Sequence, residues 1–186
     1  DQLIDGITRT VEITPQEVVS ALPTPLINRD DVGAGMLQGS SYTEPQETLE
    51  TLRQAMQTDQ YQQSLEIPFG VVRSMLDLGL TQQAQTWLAS MSSRLAGNWR
   101  FYWYFGVVNT LLGDYAAAQR DFARVLAFLP GEAAPKLAIA AVNELMLQHL
   151  GLHEEPMLND ALARASAGLR SKLDDVDESL SLIHIS

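Results

Sequence analysis

Cysteine is absent from all 186 residues. That excludes disulfide staples, thiolate metal sites and cysteine nucleophiles together, and the usage suits a reducing compartment. Positive charge is scarce: 12 lysines and arginines stand against 23 aspartates and glutamates, for a net charge of −11. So acidic a chain is repelled by phosphate backbones and anionic lipid, and neither nucleic acid nor a membrane surface is an expected partner. Long apolar runs are missing too. Stretches such as Leu137 to Val142 fall well short of the roughly 20 residues that span a bilayer, and no basic, apolar, small-residue signal opens the chain. A cytoplasmic protein with no membrane insertion is expected.

The first residue is Asp1, which points to a fragment or a processed chain. The last seven residues, Leu180 to Ser186, read as the translation of a sequencing-library adapter. On that reading the natural sequence is cut near Ser179, and 174–186 is expected to be a disordered tail.

What the sequence does contain is a period. Gly79 and Gly113 lie 34 residues apart, and Leu78-Gly79 with Ala84 and Leu88 recurs as Leu112-Gly113 with Ala118 and Phe122. That spacing is the signature of tetratricopeptide repeats, each a helix, a tight turn and a second helix packed on the first. The expected fold is all-α, an α-solenoid of antiparallel helix pairs over residues 44–173, preceded by a mostly extended linker over 1–43.

The linker carries Pro15, Pro23, Pro25, Gly33, Gly35 and Gly39. One short helix is expected in it, with Thr14 as N-cap, Pro15 at the first position and Glu17 completing a capping box, until Pro23 and Pro25 end it. Such a segment needs another surface to lie on. A helix from about Glu44 to Met56 follows, with Thr43 as its cap. The first repeat pairs a helix from Leu65 to Leu78, closed by a left-handed Gly79, with a second that Thr81 caps and that turns Ala84, Leu88, Met91 and Leu95 inward.

The second repeat runs from Trp99 to Leu112, turns at Gly113-Asp114-Tyr115 and returns to Phe128 before Pro130. Its pattern is met at Gly106, Tyr115, Ala118, Phe122 and Pro130, and departed from at Asn109 and Val125. Gly106 and Ala118 are small because paired helices approach most closely there. A third unit starts at Ala133, and Pro156 can open its second helix, which would run to about Leu173 with an uncovered apolar face.

No residue set for catalysis is visible. Gly33-Ala34-Gly35 fits neither phosphate-loop fingerprint and reads as linker. His149 and His153 have zinc-like spacing, but Gly151 between them favours solvated turn histidines. Asp174, Asp175, Asp177 and Glu178 lack the glycine and oxygen spacing of a calcium loop. No cofactor and no metal are expected. The aromatic run Trp99 to Phe105 needs a split reading, because one helix buries one face. Phe101, Tyr102 and Phe105 are expected inward, and Trp103 and Tyr104 toward the inner surface of the superhelix. With Arg73 and Arg100 these two form the expected protein-contact patch, since aromatics and arginine dominate binding hot spots. Packing against neighbouring helices or a further domain is the alternative.

Several runs resemble a known family. Val72 to Gly79, Trp99-Arg100, Trp103-Tyr104, Leu112 to Tyr115 and above all Leu129-Pro130-Gly131-Glu132-Ala133-Ala134-Pro135-Lys136-Leu137-Ala138 resemble the tetratricopeptide region of the actinobacterial Ser/Thr protein kinase G family. Ile13 to Leu37, with Glu17 to Leu22 and Pro25-Leu26, resembles its connector between kinase and repeats. The resemblance fades after Leu145. Members carry a rubredoxin-like module and a kinase domain before this region, phosphorylate a forkhead-associated regulator of 2-oxoglutarate metabolism and can dimerise through their repeats. The resemblance implies a non-catalytic interaction and regulatory region, whose partners are the parent's kinase domain, a docked protein or a second copy. The rubredoxin cysteines and the kinase motifs are absent here, so no catalytic residue carries over.

One alternative is a free-standing repeat adaptor. Those that grip a C-terminal carboxylate use lysine and asparagine where this chain has Phe69, Arg73, Trp103, Tyr104 and Val107. The other is an enzyme, which would need polar residues facing a pocket where the packed positions here are apolar.

Overall fold

The computed structural model describes residues 12–38 and 44–151. Among these every regular element is helical. The expected second helix of the third unit, His153, the Thr43 cap and the tail at 174–186 lie outside the described residues.

Thr14 Oγ1 accepts from the Glu17 amide at 3.1 Å and starts α1 (Pro15–Ala21), with the proline in its first turn. A five-residue helix, α2 (Ala34–Gln38), forms where an extended linker was expected. Close packing holds it there, since a Cβ on Gly33 would fall 2.5 Å from Ile67 Cγ1. α3 (Pro45–Ala55) buries Leu49, Leu52 and Ala55. After a 3₁₀ turn at Asp59–Tyr61, the repeats begin with α4 (Glu66–Asp77).

α4 ends in a left-handed turn, with Gly79 at φ +74° and the Leu80 amide donating to the Met75 carbonyl at 2.8 Å. The second repeat reproduces it at Gly113, φ +83°, with Asp114 donating to Asn109 at 2.9 Å. Glycine enters this region without the Cβ penalty that other residues meet.

α5 (Thr81–Ser90) starts at Thr81 itself and has no side-chain cap, which corrects the expected cap. The helix breaks at Met91, so that Leu95, fully buried, belongs to a separate turn, α6 (Ser92–Leu95). Asn98 caps α7 (Trp99–Leu112), and Asp114 caps α8 (Tyr115–Phe128). Gly106 lets these two meet, because a Cβ there would sit 2.6 Å from the Phe122 ring. α9 (Ala133–His149) follows Pro130 and ends at Gly151, again with positive φ.

Two apolar cores result. One joins α2, α3, α4, α5 and one side of α7, through Leu37, Leu52, Phe69, Met75, Leu88 and Phe101. The other joins the opposite side of α7 to α8 and α9, and α1 is part of it: Ile13, Val18 and Leu22 pack with Trp103, Val107, Phe122 and Val142.

A candidate docking groove and the connector that fills it

Trp103 and Tyr104 do not face an open surface. They are 1% and 3% exposed, whereas of Phe101, Tyr102 and Phe105, all expected inward, Phe101 is buried and the other two are only half-buried. Trp103 is covered by α1, which lies on the inner face of α7 and also touches α9, and Tyr104 by Phe69 of α4. Trp103 meets the Phe122 ring edge-on at 5.2 Å, and Tyr104 stacks on Phe69 at 5.7 Å. Tyr102 is left on the outer side, its ring 5.8 Å from Phe128 and 5.2 Å from the Arg124 guanidinium.

The segment from Ile13 to Gly33 thus runs across the groove, and three sets of hydrogen bonds tie it down. At the far end the Gln148 side-chain amide reads the Ile13 backbone both ways. It accepts from the Ile13 N–H at 2.9 Å and donates to its carbonyl at 2.8 Å, as a neighbouring strand would.

In the middle, Arg100 donates from Nε and Nη2 to the Leu26 carbonyl at 3.3 and 3.0 Å. Its Nε lies 3.3 Å from the buried Glu66 carboxylate. Burial pushes the Glu66 carboxyl up from its ordinary range and pushes Arg100 down; their mutual attraction, aided for Glu66 by Arg73 and the Asn28 amide, opposes both shifts. Arg73 donates to the Tyr104 hydroxyl at 3.0 Å and stands 3.9 Å from Glu66. Burial works against its charge, but Tyr104, Glu66 and Asp77 outweigh it and hold the proton.

At the near end Asp31 does what α4 cannot do for itself. The residue at the N-cap of α4 is Leu65, which offers no side-chain acceptor. The Asp31 carboxylate takes the Leu65 and Glu66 amides at 2.8 and 3.1 Å, the Ser64 hydroxyl at 2.5 Å and the Gly33 amide at 2.8 Å. Burial raises its pKa, but the four hydrogen bonds outweigh that and hold it below its ordinary value.

All four residues of the expected contact patch, Arg73, Arg100, Trp103 and Tyr104, therefore come together on one wall, and the chain's own connector covers it. Glu66, Asp31 and Gln148 were not singled out from sequence. An acid in a first helical turn or an Asp-rich turn has many solvated equivalents, and a glutamine late in a helix gives no signal. Asn109, where an aromatic is usual, bridges three helices: it accepts from Gln85 Nε2 at 3.0 Å and donates to Asp121 Oδ2 at 2.8 Å. His149 rests against the Tyr115 ring, and no cluster of metal-ligating side chains exists among the described residues. No helix among them is long and apolar enough to cross a membrane.

Antiparallel helix pairs closed by paired glycine turns, with the inner face filled by an upstream strap, define a tetratricopeptide-repeat protein with an intramolecular occupant. A family profile described as protein kinase G tetratricopeptide repeat matches residues 1–171, and the chain belongs to that family. It is similar to serine/threonine-protein kinase PknG of Mycolicibacterium smegmatis, 42% identical over 151 residues that make 78% of this chain and 20% of that protein. The PknG of Mycobacterium leprae is 39% identical over the same shares. The chain spans about a fifth of the length of these curated relatives.

Proposed function

We propose that this chain is the non-catalytic interaction and regulatory region of a protein kinase G-like Ser/Thr kinase working in the cytoplasm. Residues up to 43 act as the connector from the kinase domain, and the helical repeat region runs from 44, its first repeat pair opening with α4. Arg73, Arg100, Trp103 and Tyr104 hold the connector, and through it they set where the preceding kinase domain stands. The outer faces of the repeats are left for a docked protein or a second copy. The observation that carries this reading is the three-point attachment of the connector at Gln148, Arg100 and the start of α4.

The test uses the full-length protein with Arg100→Ala and Asp31→Ala combined. Phosphorylation of a folded protein substrate is expected to fall several-fold, while a short unstructured peptide is phosphorylated at the parent rate. Equal rates on the folded substrate would refute the positioning role. The 186-residue chain assayed alone is expected to transfer no phosphate, and transfer by it would refute the non-catalytic assignment.

A further inference from the structure

The connector does not fill the groove completely. Between it and the repeats a cleft of about 310 Å³ remains, about the volume of ten liquid waters and at the lower bound of ligand sites. One wall is the connector, through Leu22 and its neighbours. The other is α4 and α7, with Trp103 and Val107 as the apolar part.

Arg73 and Asp77 also line the cleft, one helical turn apart on α4. Opposite charges at this spacing ordinarily pair with each other. Here they do not. The guanidinium is drawn toward Tyr104 and Glu66, and no ion pair within 4 Å joins it to Asp77. Its Nε and Nη2 hydrogens donate to nothing among the described residues, although its side chain is 20% exposed. The Asp77 carboxylate, also exposed, accepts no hydrogen bond from them. An acceptor and a donor of opposite charge thus line the same largely apolar cleft.

We propose that this cleft binds a small zwitterion with an apolar tail, of the α-amino-acid class. Its carboxylate meets the fork of Arg73, its ammonium meets Asp77, and its side chain lies against Leu22, Trp103 and Val107. The planar guanidinium suits a carboxylate. Because the connector forms one wall, the bound molecule touches connector and repeats together, so binding holds the connector down. This stands apart from the assignment to a kinase and needs only the docked connector.

The test is titration calorimetry on the full-length protein with three probes of matched tail: norleucine, hexanoate and hexylamine. Norleucine is expected to bind saturably and at least about tenfold more tightly than either probe that lacks one charge. Asp77→Asn, a change at an exposed position, should erase the advantage over hexanoate. Arg73→Met should erase the advantage over hexylamine, with circular dichroism confirming that both variants are folded. No saturation by about 10 mM norleucine, equal affinity for norleucine and hexanoate, or an advantage unchanged in either variant would overturn the proposal.

Discussion

Asp121 illustrates how one carboxylate sets a pH response. Burial pushes its pKa up to about 6, against the Asn109 hydrogen bond and the charges of Arg120 and Arg124, while Asp114 adds to the rise. Its folded pKa thus exceeds the ordinary 3.8. The stability linked to this group is complete below pH 3.8 and is lost as pH rises through about 6. Asp121→Asn keeps an oxygen for the Asn109 amide and removes the buried charge. Relative to the parent it should gain about 1–2 kcal/mol on going from pH 4 to pH 7.5, the full shift being discounted for partial solvent screening. Urea titrations at the two pH values measure this, and a gap independent of pH would exclude the buried charge as its source. Legibility at this scale is uneven. Gly106 can be read as a close approach because the repeat pattern makes it and Ala118 small where paired helices meet, and the structure adds that the Phe122 ring fills the space. The Gln85, Asn109 and Asp121 chain joins three helices through amide geometry that no spacing announces.

Helix α4 shows what an element borrows from elsewhere. Its first amides are satisfied by Asp31, more than thirty positions upstream, so Asp31→Ala strips the Leu65 and Glu66 amides and the Ser64 hydroxyl of their acceptor at once. A loss of about 1–3 kcal/mol is expected at neutral pH. The Asp31 pKa is depressed, so its contribution is present above 3.8 and disappears as pH falls through the folded value. Denaturation midpoints of parent and variant should therefore converge in acid. A difference of constant size down to about pH 2 would mean that the carboxylate's charge plays no part.

The helices themselves were readable, because left-handed glycines and capping Asn98 and Asp114 punctuate a steady apolar period. Which way α7 faces was not. Nine of its 14 residues are buried, and a helix that is apolar all round is enclosed on all sides. Its inner face is covered rather than open, which is the packing alternative, and only the position of α1 reveals it.

At the scale of the whole molecule the connector is part of the second core. Val18 is 5% exposed among Trp103, Phe122 and Val142. Val18→Asp places an unpaired carboxylate there, at a cost of about 3 kcal/mol or more. If connector and repeats form one cooperative unit, the fluorescence of the three tryptophans and circular dichroism should report a single transition, lowered by roughly 6–12 °C. A main transition at the parent temperature, with new protease cuts between 13 and 33, would instead mean that the connector is a detachable appendage. Its docking could be anticipated only in part: the prolines and glycines called for a surface to lie on, but nothing in their order says that the repeats supply it.

Ile13 is moored to the last described helix and Asp31 to the first helix of the repeats, so the strap spans the arc much as a string spans a bow. Repeat arrays stretch by opening their curvature, each unit tilting slightly from the next. The amide grip of Gln148 and the arginine grip on Leu26 are expected to resist that mode, so that the arc straightens more readily once either is broken. Tension along the strap therefore meets a stiffer body while both hold.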